Sequence, residues 1–252
     1  VIANVTDEQK IETQNFLDTT PISVHHINSD EQLDVTVKLF YDEHNASVRI
    51  SGFHTNIVSI QKDNNTIFES NTISAPTKEL TDRSVLSVEG IYDFANSVDL
   101  DDIKDVIERQ LKYNKAISEE GLKNNWGANI GSLLLNQFGS NVKIKAKAWA
   151  AAGSDARMNG CEMPVIINSG SGNQGITVSM PVLAYAKEYN MDDDRLYRAV
   201  TLSNLIAIHQ KTTIGRLSAY CGAISAGCAS ACGIAYLMNE NIPLKNALSD
   251  IS

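Results

Sequence analysis

The chain has 252 residues, 43% hydrophobic and 20% charged, with 15 Gly and 5 Pro, which excludes collagen-like, low-complexity and wholly disordered chains. Its 21 Lys and Arg against 30 Asp and Glu leave a net charge of −9, so its surface repels phosphate backbones and nucleic acid is not an expected partner. No run of about 18 apolar residues is present, so no membrane span is expected. The four Cys do not make a secreted disulfide framework, and reduced thiols in a cytoplasm are the expectation. Val1 to Lys10 carries neither an initiator Met nor a signal-peptide pattern, so the chain reads as processed or as part of a longer one.

The first elements are a short helix, about 6–17, and then four or five mostly antiparallel strands spanning roughly 22–70. Ile22, Val24 and His26 alternate with their neighbours, as do Val35, Val37 and Leu39; the Asp42-Glu43-His44-Asn45 and Asp63-Asn64-Asn65 stretches supply turns. Asn71 to Arg83, with Pro76 and several Ser and Thr, reads as a linker. Beyond it the period becomes helical. Ile103, Val106, Ile107 and Leu111 form one stripe, headed by Asp99, Asp101 and Asp102 at the positive end of the helix. Leu133 to Phe138 closes a helix that Gly139 ends; Val142, Ile144 and Ala146 alternate with Lys143, Lys145 and Lys147 as in a strand, but the Ala-rich run Ala146 to Ala152 favours helix. Residues 192–209 and 216–238 read as two further helices, and Pro243 as the start of another. The expected fold is α+β: a small, mainly antiparallel sheet domain over 1–75, followed by an all-helical domain over 84–252.

Gly170-Ser-Gly172-Asn-Gln-Gly175 matches the dinucleotide fingerprint G-x-G-x-x-G, with a possible short strand at Val165 to Ile167 before it and a possible helix, Ile176 to Tyr189, after it. The context argues against a dinucleotide: mainly helices follow, Asp192 to Asp194 head a helix, and Pro181 should kink or break the helix that would bind the phosphates. What remains is a loop that suits a carboxylate or phosphate, with close backbone approach at the glycines and side-chain donors from Ser169, Ser171, Asn173 and Gln174. A plain polar turn between helices is the alternative.

Cys221, Cys228 and Cys232 are spaced to share one helix face, but about 16 Å of helix separates the first from the last, so one straight helix cannot bring both to one metal. Small buried thiols at a helix contact are the simpler reading. His54, in Gly52-Phe-His54-Thr-Asn56, suits a substrate contact or a proton carrier, or else a hydrogen bond within the sheet. His25, His26, His44 and His209 show no partner pattern, and Asp155 with Arg157 reads as a local ion pair.

Five stretches together resemble the iron–sulfur L-cysteine desulfidases, relatives of the iron–sulfur L-serine dehydratases. They are Gly52-Phe-His-Thr-Asn-Ile-Val58, Glu120-Gly-Leu with Trp126-Gly, Ala151-Ala-Gly-Ser-Asp-Ala-Arg-Met158, Asn168-Ser-Gly-Ser-Gly-Asn-Gln-Gly-Ile-Thr177 and Gly215-Arg-Leu-Ser-Ala-Tyr-Cys-Gly222. The resemblance covers the chain from about Ile22 to its end and makes it look like the centre of a longer family member. It implies β-elimination of L-cysteine to sulfide, pyruvate and ammonia at a [4Fe–4S] cluster, with Cys221 as one ligand and the others outside this chain. It implies substrate contacts from His54, Thr55 and Asn56 and from Ser169, Gly170, Ser171, Gly172, Asn173 and Gln174, and it leaves the base unassigned. The expected partner is a small amino acid, with homodimerisation possible. L-serine dehydration and a cluster-free carboxylate-binding fragment are the competing readings.

Overall fold

The computed structural model describes residues 5–31, 33–52, 55–70, 82–214 and 221–238. They fall into two compact units, one within Glu8–Asp82 and one from Arg83 onward. Helix α1 (Asp7–Thr19) precedes strands β1 (Asp34–Tyr41), β2 (His44–Ser51), β3 (Ile57–Lys62) and β4 (Asn65–Glu69). Helices α2 (Val88–Ser97), α3 (Leu100–Lys123), α4 (Ile130–Phe138), α5 (Val142–Met158), α6 (Gly172–Glu188), α7 (Asp193–Ile214) and α8 (Ala223–Met238) follow. The class is α+β, as the sequence predicts.

The sheet is a four-stranded antiparallel meander in the order β1-β2-β3-β4. Val35 opposite Ile50 and Val37 opposite Val48 put one apolar row on one face. Asp63 and Asn64, with φ of 49° and 63°, form the tight left-handed turn between β3 and β4. Asp63 fastens this turn to β2: one carboxylate oxygen accepts the Asn45 N–H at 3.0 Å and the other meets His44 Nδ1 at 3.1 Å, a partner the sequence pattern did not reveal. The alternation at Ile22 to Ile27 does not produce a strand. The segment is exposed and irregular, because alternation fixes a strand only where a neighbouring edge pairs with it.

In the second unit side chains cap the helix starts. Asp99 accepts the Asp101 N–H at the head of α3, and Asn141 accepts that of Ile144 at the head of α5. Gly139, with φ 78°, ends α4. At the centre lies α6, buried on nearly every side and packed against α3, α5, α7 and α8. Its neighbours come close through small residues. A Cβ on Gly131 would stand 2.5 Å from the Ala148 carbonyl oxygen, and one on Gly233 would stand 2.9 Å from that of Ala199.

Three expectations are corrected here. Helix α6 runs through Pro181 without ending, since Met180, Pro181 and Val182 are all buried among its neighbours and that packing offsets one forfeited backbone bond. Val165 to Ile167 is not a strand; a side chain satisfies its backbone. Cys221 does not share a helix face with Cys228 and Cys232, because α8 begins at Ala223 and Cys221 stands before it. Residues 71–81 of the linker expected from Asn71 to Arg83, residues 216–220 and the helix expected at Pro243 lie outside the described residues.

Candidate functional site: a glycine loop at the head of the central helix

Asn168 and Ser171 pair across a tight turn, each N–H donating to the other's carbonyl at 3.1 and 3.0 Å. Ser169 and Gly170 between them have φ of 47° and 88°, the left-handed pair such a turn requires. Ser171 then occupies the N-cap of α6, but its hydroxyl caps nothing. The first helical backbone bond runs from the Gly175 N–H to the Ser171 carbonyl, so the N–H groups of Gly172 and Asn173 precede it and have no partner within the helix. Gly175 is required by a close approach: a Cβ there would overlap the Ile166 carbonyl and lie 2.9 Å from its carbon.

A network of buried amides holds the loop. Asn114, fully buried on α3, treats Ile166 as a strand partner would: its Oδ1 accepts the Ile166 N–H at 2.8 Å and its Nδ2 donates to the Ile166 carbonyl at 3.1 Å. Gln110, one turn earlier, donates to Asn204 Oδ1 at 3.0 Å and accepts from Asn204 Nδ2 at 2.7 Å. Asn168 Nδ2 reaches the same Asn204 Oδ1 at 2.8 Å. Sequence reasoning missed Gln110, Asn114 and Asn204. Their signal was present: Gln110 and Asn114 interrupt the apolar stripe of α3, and a polar residue on a buried stripe needs a partner.

Three polar atoms of the loop have none among the described residues: Asn168 Oδ1, Ser169 Oγ and Gln174 Oε1. Gln174 is 4% exposed and its Oε1 accepts no hydrogen bond among the described residues. Gly222 lies against that amide, and a Cβ on it would fall 2.6 Å from Oε1 and closer still to the other amide atoms. The structure therefore brings the segment of Cys221 to the glycine loop.

Asp155 and Arg157, expected as a local ion pair, do not pair with each other. Asp155 Oδ2 instead accepts the Ile130 N–H at 2.7 Å, capping α4, whose own N-cap Asn129 leaves that bond unmade. Arg157 points the other way and donates from Nη1 to Asn173 Oδ1 at 3.1 Å. Two residues, little more than half a turn of α5, put the two side chains on different faces, so a charge pair close in sequence is not a pair in space. Glu120 closes the turn after α3. Its carboxylate accepts from Asn124 at 2.7 Å and from the Trp126 indole at 3.1 Å, and these bonds, the Asn124 one foremost, hold it below the usual carboxylate range.

His54 lies outside the described residues. Thr55 is exposed in the turn before β3, and Asn56 donates from Nδ2 to the Ser51 carbonyl at 2.8 Å, a bond that shapes the turn. Cys221 is exposed, Cys228 half-buried and Cys232 buried. Burial pushes the Cys232 thiol up, away from the thiolate a metal needs. Among the described residues no group of three or more His, Cys, Asp or Glu side chains is gathered for a metal. Cys221 is the exposed thiol beside the loop.

The serine dehydratase alpha chain family matches residues 1–247. This chain belongs to that family. Its relatives include UPF0597 proteins from Desulfitobacterium hafniense, 49% identical over 237 residues, and Lachnoclostridium phytofermentans, 48% identical over 241 residues. The alignments cover 94% and 96% of this chain but 55% and 58% of those proteins, so the chain spans little more than half the length of the relatives it matches. No solved structure matches it. No helix among the described residues is long and apolar enough to cross a membrane.

Proposed function

We propose that this chain carries the amino-acid-binding part of a β-eliminating lyase that releases sulfide from L-cysteine. The observation that supports the reading most is the glycine loop, whose unpartnered groups include both donors and acceptors. The first-turn N–H groups of α6 and the Ser169 hydroxyl suit a carboxylate. Asn168 Oδ1 and Gln174 Oε1, both unpartnered, suit an ammonium group. A zwitterion satisfies both kinds, whereas a phosphate satisfies only the first.

In elimination a base takes the α-proton, the C–H electron pair forms the Cα–Cβ double bond, and the C–S bond breaks with sulfur leaving as hydrosulfide. The aminoacrylate left behind tautomerises and hydrolyses to pyruvate and ammonia. The role of the loop is to fix carboxylate and ammonium so that the α-proton and the sulfur face opposite reacting groups. A [4Fe–4S] cluster with one iron not saturated by thiolates would supply a Lewis acid for the leaving group. Cys221 would give one of its thiolates, and its position beside Gly222 and Gln174 would keep that ligand next to the bound amino acid.

L-Serine is the second reading, favoured by the description of the matching family. Anaerobic reconstitution of the full-length protein with iron and sulfide, followed by assay of sulfide and pyruvate from each amino acid, tests both. The expected result is pyruvate from L-cysteine with equimolar sulfide. Pyruvate from L-serine alone would replace the first reading by the second, and product from neither would end both.

A further inference from the structure

We propose that Arg157 is the cation that grips the carboxylate of the amino acid bound at the glycine loop; this rests on the reading of that loop as an amino-acid site. Arg157 stands in the last turn of α5 and is half-buried. Its side chain lies across the first turn of α6. A Cβ built on Gly172 would overlap Nε and stand 2.8 Å from Cδ, so the guanidinium rests on a place that only glycine leaves open. Nη1 donates to Asn173 Oδ1 at 3.1 Å, and its other neighbour is the Met158 sulfur at 3.4 Å, a weak acceptor.

Among the described residues no carboxylate stands within ion-pair distance of Arg157. Two further half-buried arginines among the described residues of the helical unit are spent on structure. Arg195 donates to the carbonyls of Tyr236 and Leu237, and Arg198 to those of Ala95 and Val98. Arg157 instead sits at the positive end of α6, where a cation is disfavoured unless an anion joins it. The same turn holds the N–H groups of Gly172 and Asn173, which have no partner within the helix. Two positive features with no counter-charge form an anion site. The planar fork of an arginine selects a carboxylate by two parallel hydrogen bonds, which a lysine cannot reproduce.

The test compares wild-type, Arg157→Lys and Arg157→Gln in the reconstituted full-length protein, with L-cysteine and L-cysteinamide as substrates and thermal melting as the check on folding. The expected result is a KM for L-cysteine raised on the order of 10- to 100-fold in Arg157→Gln, with partial recovery in Arg157→Lys. The value for L-cysteinamide, which lacks the carboxylate, should stay nearly constant. An unchanged KM for L-cysteine, or equal losses on both substrates, overturns the assignment. If the wild-type protein acts on neither, the functional reading fails separately, and titration with pyruvate decides the site: equal affinity in wild-type and Arg157→Gln, or no binding, overturns the role of Arg157, and weaker binding in the variant supports it.

Discussion

Gly222 is packed onto the side-chain amide of Gln174, so the residue next to Cys221 and a buried amide of the glycine loop occupy one contact. The contact tolerates no side chain on Gly222. In Gly222→Ala the new Cβ must displace Gln174 or the start of α8. The expected outcome is a loss of substrate affinity and of iron together, with the melting temperature lowered only modestly. Parallel measurement of iron content, KM and thermal unfolding checks it, and a variant with normal iron and normal KM contradicts the linkage.

Asn114 is expected to be the most costly amide to remove. Asn114→Ala leaves both the N–H and the carbonyl of Ile166 without their partner and opens a cavity beside Ser179. The expected destabilisation is on the order of 2–4 kcal/mol by denaturant unfolding. Asn204→Ala, at a half-buried position, should cost less.

The cysteines should separate cleanly. Cys221→Ala should keep the fold and lose iron and activity, because an exposed thiol contributes little packing. Cys232→Ala should keep iron and activity and lose about 1 kcal/mol of stability, since Cys232 is 1% exposed in the core. Iron analysis and thermal unfolding of both variants check the contrast.

Asp34 gives the sheet unit a pH dependence. Hydrogen bonds from Arg49, then from Ser29, hold its carboxyl below the usual range. A depressed carboxylate contributes stability that is present above its unfolded pKa, roughly 3.9, and lost as pH falls through the folded value. Acid unfolding of the sheet unit should therefore set in below about pH 4, and Asp34→Asn should flatten that dependence. Carbon-detected NMR titration of the Asp34 carboxyl reads the same shift directly; a midpoint at or above the unfolded value contradicts it.

Much of this architecture is legible in the residues. The helix periods from Asp99 onward, the acidic head of α3 at Asp99, the helix end at Gly139 and the turn at Asp63-Asn64 are local signals, and local physics decides them. The alternation at Ile22 to Ile27 misleads because a strand needs an edge to pair with, which no window of sequence contains. Pro181 misleads for a related reason: the cost of a proline is local, but burial on nearly all sides of α6 is not. At the site, the loop from Asn168 to Gly175 is readable as a place of close backbone approach. The amides that hold it are not, because Gln110, Asn114 and Asn204 lie 65, 52 and 36 residues from the loop positions they bond. Arg157 is misread as the partner of Asp155 because two opposite charges near in sequence suggest a pair, and only the helix geometry sends them to different neighbours.

The most direct measurement is iron content and product release in the full-length protein purified without oxygen, with Cys221→Ala beside it. Bound iron is expected, with sulfide and pyruvate formed one to one from L-cysteine and both iron and turnover lost in the variant. Wild-type protein that binds no iron and leaves L-cysteine and L-serine intact, or a variant as active as wild type, would contradict it.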